Sequence, residues 1–534
     1  MSDRPPMDNR RVLRSAMLIG AFTSLSRFLG MIRDLLTAGV FGTSLPMSAF
    51  VVAFRIPNLF RRLFGEGALS SAFVPVFMDT RKKEGDAAAW QLASRVLSLA
   101  AVGLIVLTVI GCLIAAGMSM SSGDGSQRAM ILSLTRIMLP YMIFICLAAL
   151  CASILNSYHH FTIPALSPSL MNITWIASVL LICPLMGDTL EEKIYGLAWG
   201  VLLSGLIQFG MQIPVLRRQP GFHFRFTLVW NDPRVWRVFT LMGPATLGLA
   251  VTQINVMVNS LLAAWIGPWA PAALFYSERL LYFPQGILAT AMSTVLLPVF
   301  AGCAAEKRHD DLLRTMNHSL RLLMFVMIPA SIGLLVLARP IVQMLFEWGN
   351  FTQQSTDLTT IALQCYAPGL LVFSLSKVFV PAFYAHQDTR TPVKVGLACV
   401  LLNLALNILF IFTLPTYVKH AGLAAATVIA EAFNGFMLGW LVHRRLGSPG
   451  WGHMFRCAGK ALLAAVVMGV FIVIALPPIQ AVVTTLVPVT KLVQVVSVLV
   501  VIVGAVAVYG GLVFLLRCPE CGEAMDAIRR KRTK

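Results

Sequence analysis

The chain has 534 residues, 57% of them hydrophobic, with 42 Lys plus Arg against 23 Asp plus Glu and a formal net charge of +19. Its mean hydropathy is +0.79. A soluble chain of this length carries about a quarter charged residues and divides into several domains, so the composition excludes an ordinary soluble protein. The basic surplus would suggest nucleic acid in a soluble protein. In a polytopic membrane protein it arises from cytoplasmic loops, and no nucleic-acid partner is implied.

Taken in chain order, fourteen apolar stretches are long enough to cross a hydrocarbon core of roughly 30 Å. They cover about 14–41, 46–78, 88–117, 129–155, 164–186, 194–216 and 236–265, then 271–303, 312–337, 358–384, 393–414, 421–442, 457–476 and 491–516. Backbone amides must be satisfied inside the bilayer, so each stretch is read as helix, and no alternating β pattern occurs. The predicted fold class is an all-α polytopic membrane protein with about 14 transmembrane helices. The first stretch is too long for a cleavable signal and contains Arg27 and Arg33, so it is read as the first span.

Orientation follows from the connections. The side holding the N-terminus receives 27 Lys and Arg and the opposite side 5. This imbalance predicts both termini in the cytoplasm and an even number of spans. The remaining ten cations lie inside the stretches.

An internal repeat sets the predicted domain organisation. Ala68-Leu-Ser-Ser-Ala-Phe-Val-Pro75-Val-Phe77 recurs as Ala291-Met-Ser-Thr-Val-Leu-Leu-Pro298-Val-Phe300, an offset of 223. Pro164, Asn172, Gly196, Ala198 and Arg217-Arg218 recur as Pro392, Asn403, Gly422, Ala424 and Arg444-Arg445, at offsets of 226 to 231. Two lobes of six helices are expected, 14–220 and 221–446, after a cytoplasmic N-terminus 1–13. A helix pair at 447–516 and a basic cytoplasmic tail at 517–534 complete the chain. Paired lobes around a central cavity are the usual build of an alternating-access transporter.

The ten Cys lie mostly within the stretches and imply no disulfide framework. Cys518-Pro-Glu-Cys521 resembles half of a zinc ribbon without a second pair, and tetrahedral zinc needs four ligands, so no metal site is expected. No cofactor is implied.

The informative charges are those inside the membrane. Arg27, Arg33 and Asp34 lie in the first stretch, Arg55, Arg61, Arg62 and Glu66 in the second, and Glu278 and Arg279 in the eighth. Each Arg near the bilayer centre costs roughly 2.5–3.5 kcal/mol, so six facing lipid would cost on the order of 15–20 kcal/mol. They are expected to line a water-filled cationic cavity or to pair: Arg62 with Glu66 along a helix, Arg33 with Asp34 or Glu278 with Arg279 across helices. The cations outnumber the carboxylates, which predicts an anionic ligand, and guanidinium forks suit phosphate oxygens. Arg27 and Arg33 point about 120° apart on a regular helix, so converging on one cavity requires a kink, for which Gly30 and the Pro57-Asn58 interruption are candidates. Arg95, Arg136, Arg321 and Lys377 lie nearer the ends of stretches and are expected to snorkel.

The blocks Ser26-Arg-Phe-Leu-Gly-Met-Ile-Arg-Asp34, Phe54-Arg-Ile-Pro-Asn-Leu-Phe-Arg-Arg-Leu-Phe-Gly-Glu-Gly-Ala68, Tyr276-Ser-Glu-Arg-Leu280 and Phe383-Tyr-Ala-His-Gln-Asp-Thr-Arg-Thr-Pro392 carry a resemblance. Over essentially its whole length the sequence resembles the MurJ (MviN) family of lipid II flippases, within the multidrug/oligosaccharidyl-lipid/polysaccharide exporter superfamily. The resemblance implies two six-helix bundles around a central cavity, with a final helix pair forming a groove for a polyprenyl tail. The implied activity, that of a transporter and not an enzyme, is transfer of undecaprenyl-pyrophosphate-linked disaccharide-pentapeptide from the inner to the outer leaflet for peptidoglycan synthesis. Cell-wall synthesis proteins and membrane lipids are the implied partners besides lipid II.

Carried over by position, the implied substrate-binding residues are Arg27, Arg33, Arg61, Arg62 and Arg279, with Ser26, Asp34, Arg55, Asn58, Glu66 and Glu278 as a supporting or gating set. Ser48 stands where many members have Asp, and Tyr282 where some have Glu, which puts a carboxylate-coupled step at those positions in doubt. A sodium site of the kind carried by some relatives would find only neutral candidates here: Asn255, Asn259, Asn403 and Asn407. Dependence on membrane potential or on a coupling ion is left open. The alternatives are a flippase for another polyprenyl-pyrophosphate-linked glycan, favoured less by these motifs, and a multidrug or cation antiporter, which would need cavity carboxylates in excess. A prenyl-phosphate glycosyltransferase would need paired catalytic carboxylates at the membrane face, whereas Asp79, Asp86, Asp310 and Asp311 read as loop solvation.

Overall fold

The computed structural model describes residues 9–63, 69–120, 123, 126–486, 489–520 and 522, and among them every regular element is helical. Two compact units divide the chain at Ala272 and Ala273.

The first unit begins with α1 (Asn9–Phe41), α2 (Leu45–Phe60) and α3 (Leu69–Glu84). It continues with α4 (Asp86–Met120), α5 (Gln127–Met138), α6 (Tyr141–Ser157), α7 (Thr162–Ala177) and the short α8 (Cys183–Met186). Then follow α9 (Leu190–Gly210), the short α10 (Ile213–Leu216) and α11 (Pro233–Ile266). The second unit holds most of α12 (Ala270–Ala305), then α13 (His309–Val336), α14 (Ala338–Phe346), α15 (Gln353–Tyr366) and α16 (Gly369–Ala385). It ends with α17 (Arg390–Thr413), α18 (Lys419–Leu446), α19 (Trp451–Leu486) and α20 (Thr490–Leu515).

Helix falls in all fourteen apolar stretches. Among the described residues, nine helices are long and apolar enough to cross a membrane, and ten if α15 and α16, bent by 43° at a short break, form one span. α1, which carries Arg27, Arg33 and Asp34, is not one of the nine. Breaks fall at prolines that remove a backbone donor: Pro140 between α5 and α6, and Pro368 between α15 and α16. These two positions are 228 apart. The same spacing recurs in the backbone, since His159 after α6 (φ 60°) and Gln387 after α16 (φ 59°) both end a helix in the left-handed conformation.

Helix ends are capped by local side chains. Ser44, Ser126 and Thr352 accept from the third backbone amide onward, and Thr189 with Glu192 forms a reciprocal capping box. The first unit's core packs Phe73 and Phe77 of α3 against Trp90, Leu92 and Ala93 of α4 and Ile154 of α6. Large apolar side chains left outside, such as Ile105, Val109, Ile110 and Leu113 of α4, suit a lipid environment.

Residues 220–230, between α10 and α11, have no helix. They run beside α4, whose side chains satisfy part of their backbone. The Trp90 indole N–H donates to the Pro220 carbonyl at 3.0 Å, and Ser94 Oγ donates to the His223 carbonyl at 3.1 Å. Ser94 Oγ also accepts from the Arg225 amide at 3.3 Å, and Ser98 Oγ from the Thr227 amide at 3.2 Å. Gly221 permits the approach: its φ is +68°, and a Cβ there would lie 2.8 Å from Asp86 Cβ.

In the second unit the final helix pair is tied to its neighbours. Tyr509 of α20 donates to the Phe325 carbonyl of α13 at 2.7 Å, and Lys491 to the Gln343 carbonyl of α14 at 2.8 Å.

Candidate functional site

α1 runs unbroken through Gly30. Without a kink, Arg27 and Arg33 keep the angular separation that six residues on a helix impose. Arg27 is exposed, and Arg33 is buried, 8% accessible.

Arg33 is held on three sides. Its Nε and Nη2 donate to Asp34 Oδ1 at 2.9 and 2.7 Å, and Nη1 donates to Asn172 Oδ1 of α7 at 2.9 Å. The guanidinium lies over the Trp175 ring, 4.8 Å from its centroid. Asn172 answers through its own amide N–H, donating to the Ser26 carbonyl at 2.8 Å and to Ser26 Oγ at 3.2 Å. Trp175 donates to Thr37 Oγ1 at 3.1 Å. The expected pairing of Arg33 with Asp34 is present, but along one helix between adjacent residues rather than across helices. A planar fork bound by a carboxylate and an amide on neighbouring helices is a rigid cation.

α2 passes through Pro57 and ends at Phe60, where Arg61–Leu63 continue in a wider π-type turn. Pro57 leaves the preceding turn without a donor, and the widening re-aims the two arginines that follow. Arg61 donates through Nε to Asn58 Oδ1 at 2.9 Å and lines a cavity of about 210 Å³ between α6, α7 and α9. Gln208 faces the same cavity, its Oε1 accepting from Ser167 at 2.9 Å. Arg62 is exposed and Arg55 half-buried. Glu66, the expected acidic partner of Arg62, lies outside the described residues.

The second unit holds Arg279 and Glu278 on α12, both half-buried. Arg279 stacks over Phe275 with 4.6 Å to the ring centroid, and Glu278 Oε1 accepts from the Tyr366 hydroxyl at 3.4 Å. Within the first unit, then, Ser26, Arg33 and Asp34 gather with Asn172 and Trp175, and Asn58 with Arg61.

Two of the cations expected to snorkel are placed otherwise. Arg95 pairs with Asp232, the buried N-cap of α11, and Arg321 with Glu520 at 2.7 Å. Lys377 stands exposed near the middle of α16, because the break at Pro368 makes that helix begin at Gly369. The reading of the sequence also passed over Glu431, a half-buried carboxylate near the middle of α18. Its signal was available: a single acid inside an apolar stretch. Outside the spans, burial alone would raise the Asp232 carboxyl, but donors from Arg234 and Arg95 hold it below the ordinary range. Among the described residues no group of three or more His, Cys, Asp or Glu is placed to hold a metal, and Cys521 lies outside them.

A family model described as "Lipid II flippase MurJ" matches residues 37–496. The chain belongs to the lipid II flippase MurJ family. The lipid II flippase MurJ of Burkholderia cenocepacia is 33% identical over 470 residues, covering 86% of this chain and 89% of that protein. A probable lipid II flippase MurJ of Bdellovibrio bacteriovorus is 32% identical over 533 residues, covering 98% of this chain and 97% of its own length. A solved structure, "Lipid II flippase MurJ, inward closed conformation", superposes with a TM-score of 0.76 at 25% identity, over 94% of this chain and all of that one. An inward-facing multidrug resistance transporter of the MATE family shares the fold at TM-score 0.67 and 14% identity, covering 79% of this chain and 94% of its own. MurJ membership and the long apolar helices make the chain a helical, multi-pass membrane protein.

Ser48 and Tyr282, where the resemblance implies acidic residues in other members, differ in burial. Ser48 is fully buried, and its Oγ accepts from the Ala272 amide at 3.3 Å. Tyr282 is half exposed. In the second unit Asn403 donates to Thr427 Oγ1 at 3.4 Å and accepts from Asn407 at 3.1 Å, a neutral amide ladder.

Proposed function

We propose that the chain moves lipid II from the inner to the outer leaflet of a bacterial cytoplasmic membrane by alternating access, as a transporter and not an enzyme. The observation that carries this reading is a set of guanidinium groups on membrane helices, Arg33 among them fixed in a buried hydrogen-bonded frame, in a chain that matches the lipid II flippase family along residues 37–496.

In this reading fourteen spans form two six-helix lobes around a cationic cavity, with residues 447–516 as a groove for the prenyl tail and both termini cytoplasmic. The imbalance of 27 against 5 connecting cations supports that orientation. Arg27, Arg33, Arg61, Arg62 and Arg279 contact the pyrophosphate and sugar headgroup, with Arg33 held in position by Asp34 and Asn172. Ser26, Arg55, Asn58, Glu66 and Glu278 support or gate these contacts. Release follows when the outward state separates the arginines of α1 from Arg279. No resident cofactor takes part. A membrane potential, inside negative, favours outward movement of an anion by roughly 2.3 kcal/mol per charge per 100 mV and returns the empty cationic site inward.

The test is depletion of the protein in a cell that depends on it, with accessibility of lipid II measured from outside. Loss of external lipid II on depletion, restored by the wild-type chain and not by Arg27→Ala, is the expected result. Undiminished external lipid II, or loss of a different prenyl-linked glycan alone, overturns the assignment.

A further inference from the structure

We infer that Glu431 is a proton-binding site in the second unit, and that its protonation controls the charge which Lys377 offers to an anionic headgroup. The coupling to headgroup binding rests on the function proposed above, while the proton site does not.

Glu431 lies near the middle of α18, where an ionised carboxylate is expensive unless something holds it. Two donors do so. The Ser376 hydroxyl of α16 donates to Oε1 at 2.5 Å, and the Asn434 amide, one turn along α18, donates to the same oxygen at 3.1 Å. Both bonds fall on Oε1, so a proton can sit on Oε2 while Oε1, as the carbonyl of a neutral acid, keeps both donors. Neither protonation state requires the two helices to move.

The surroundings make that proton consequential. Lys377 follows Ser376 on α16, is exposed, and is the cation attracted to Glu431, without a direct ion pair. An exposed lysine within an apolar stretch is stable where its ammonium reaches water, since facing lipid near the bilayer centre would cost roughly 2.5–3.5 kcal/mol. From α17 the facing titratable group is Cys399, whose thiol donates to the Ala430 carbonyl at 3.1 Å. The carboxylate and Lys377 together carry no net charge, and protonation of Glu431 leaves the pair with one positive charge. An anion near Lys377 is therefore bound more tightly by the protonated form. By linkage, the anion in turn raises the proton affinity of Glu431 by the same factor.

The experiment has two readouts on the full chain in lipid nanodiscs. Infrared difference titration over roughly pH 5–9 detects the carbonyl band of a protonated carboxyl. We expect such a band in the wild type and its loss in Glu431→Gln, whatever lipid II does. Lipid II affinity measured over the same range is expected to fall about tenfold as Glu431 ionises, to be pH-independent and high in Glu431→Gln, and to be low in Lys377→Gln even where Glu431 is protonated. An unchanged band in Glu431→Gln, or its displacement by sodium at constant pH, overturns the proton site. A titrating band combined with the same pH dependence of affinity in Glu431→Gln overturns the coupling. Failure of every form to bind lipid II while the band titrates overturns the function proposed above and leaves the proton site standing.

Discussion

The Arg33 guanidinium donates to Asn172 across the α1 and α7 interface at 2.9 Å, and Asn172 returns a bond to the backbone of Ser26 two turns earlier on α1. One amide side chain thus grips α1 at two levels. Asn172→Ala removes both bonds and leaves Arg33 with an unfilled donor in a buried site. It is expected to destabilise the protein by about 1–3 kcal/mol, read as a lower melting temperature in detergent. Arg33→Lys keeps the charge but neither the fork nor the ring stacking, and is expected to fall close to Asn172→Ala.

Arg27 gives the contrast. It is exposed on the same helix, so Arg27→Ala is expected to change stability by no more than about 0.5 kcal/mol while abolishing lipid II export. Normal expression and melting together with unchanged export would remove Arg27 from the headgroup site.

Asp232 joins two elements, capping α11 and binding its Arg234 side chain while pairing with Arg95 of α4, and Arg234 in turn reaches Glu84 of α3 at 2.6 Å. Its side chain is 3% accessible. Asp232→Ala strands Arg95 and is expected to cost about 3–5 kcal/mol, whereas Asp232→Asn keeps the cap and loses less. Equal melting temperatures for the two variants would show that the ion pair, not the cap, carries the effect.

Asp388, in the loop after α16, accepts from the Thr391 hydroxyl at 2.6 Å and the Thr391 amide at 3.0 Å, and pairs with Arg445 at 2.5 Å. The Thr391 bonds, helped by Arg445, hold its carboxyl down at about 2. A depressed folded-state value stabilises the protein above the ordinary carboxylate range, and that contribution disappears as pH falls from about 4 through about 2. Melting in this acid window is expected to drop more steeply for the wild type than for Asp388→Asn. Parallel curves would refute the assignment.

The helical layout was legible in the sequence because apolar length dominates the membrane signal, and helix falls in every stretch read that way. Breaks inside long apolar runs were harder to place. Treating 358–384 as one helix put Lys377 near an end, and the bend at Pro368 puts it in mid-helix. Arg33 was legible as a charge that the membrane must accommodate, but its partner on α7 lies 139 residues away. Asn172 had registered only as a landmark of the repeat. Arg95 and Arg321 followed the same pattern, since Asp232 and Glu520 reach them only in three dimensions.

The seam between residues 220–227 and α4 has a mechanical meaning. A connection of ordinary coil stretches when the helix after it moves. This one is stitched at Trp90, Ser94 and Ser98, so a pull on the start of α11 is delivered to α4 at several points with little slack. The segment acts as a stiff coupling rod, and shortening Ser94 and Ser98 to Ala would turn it back into a hinge.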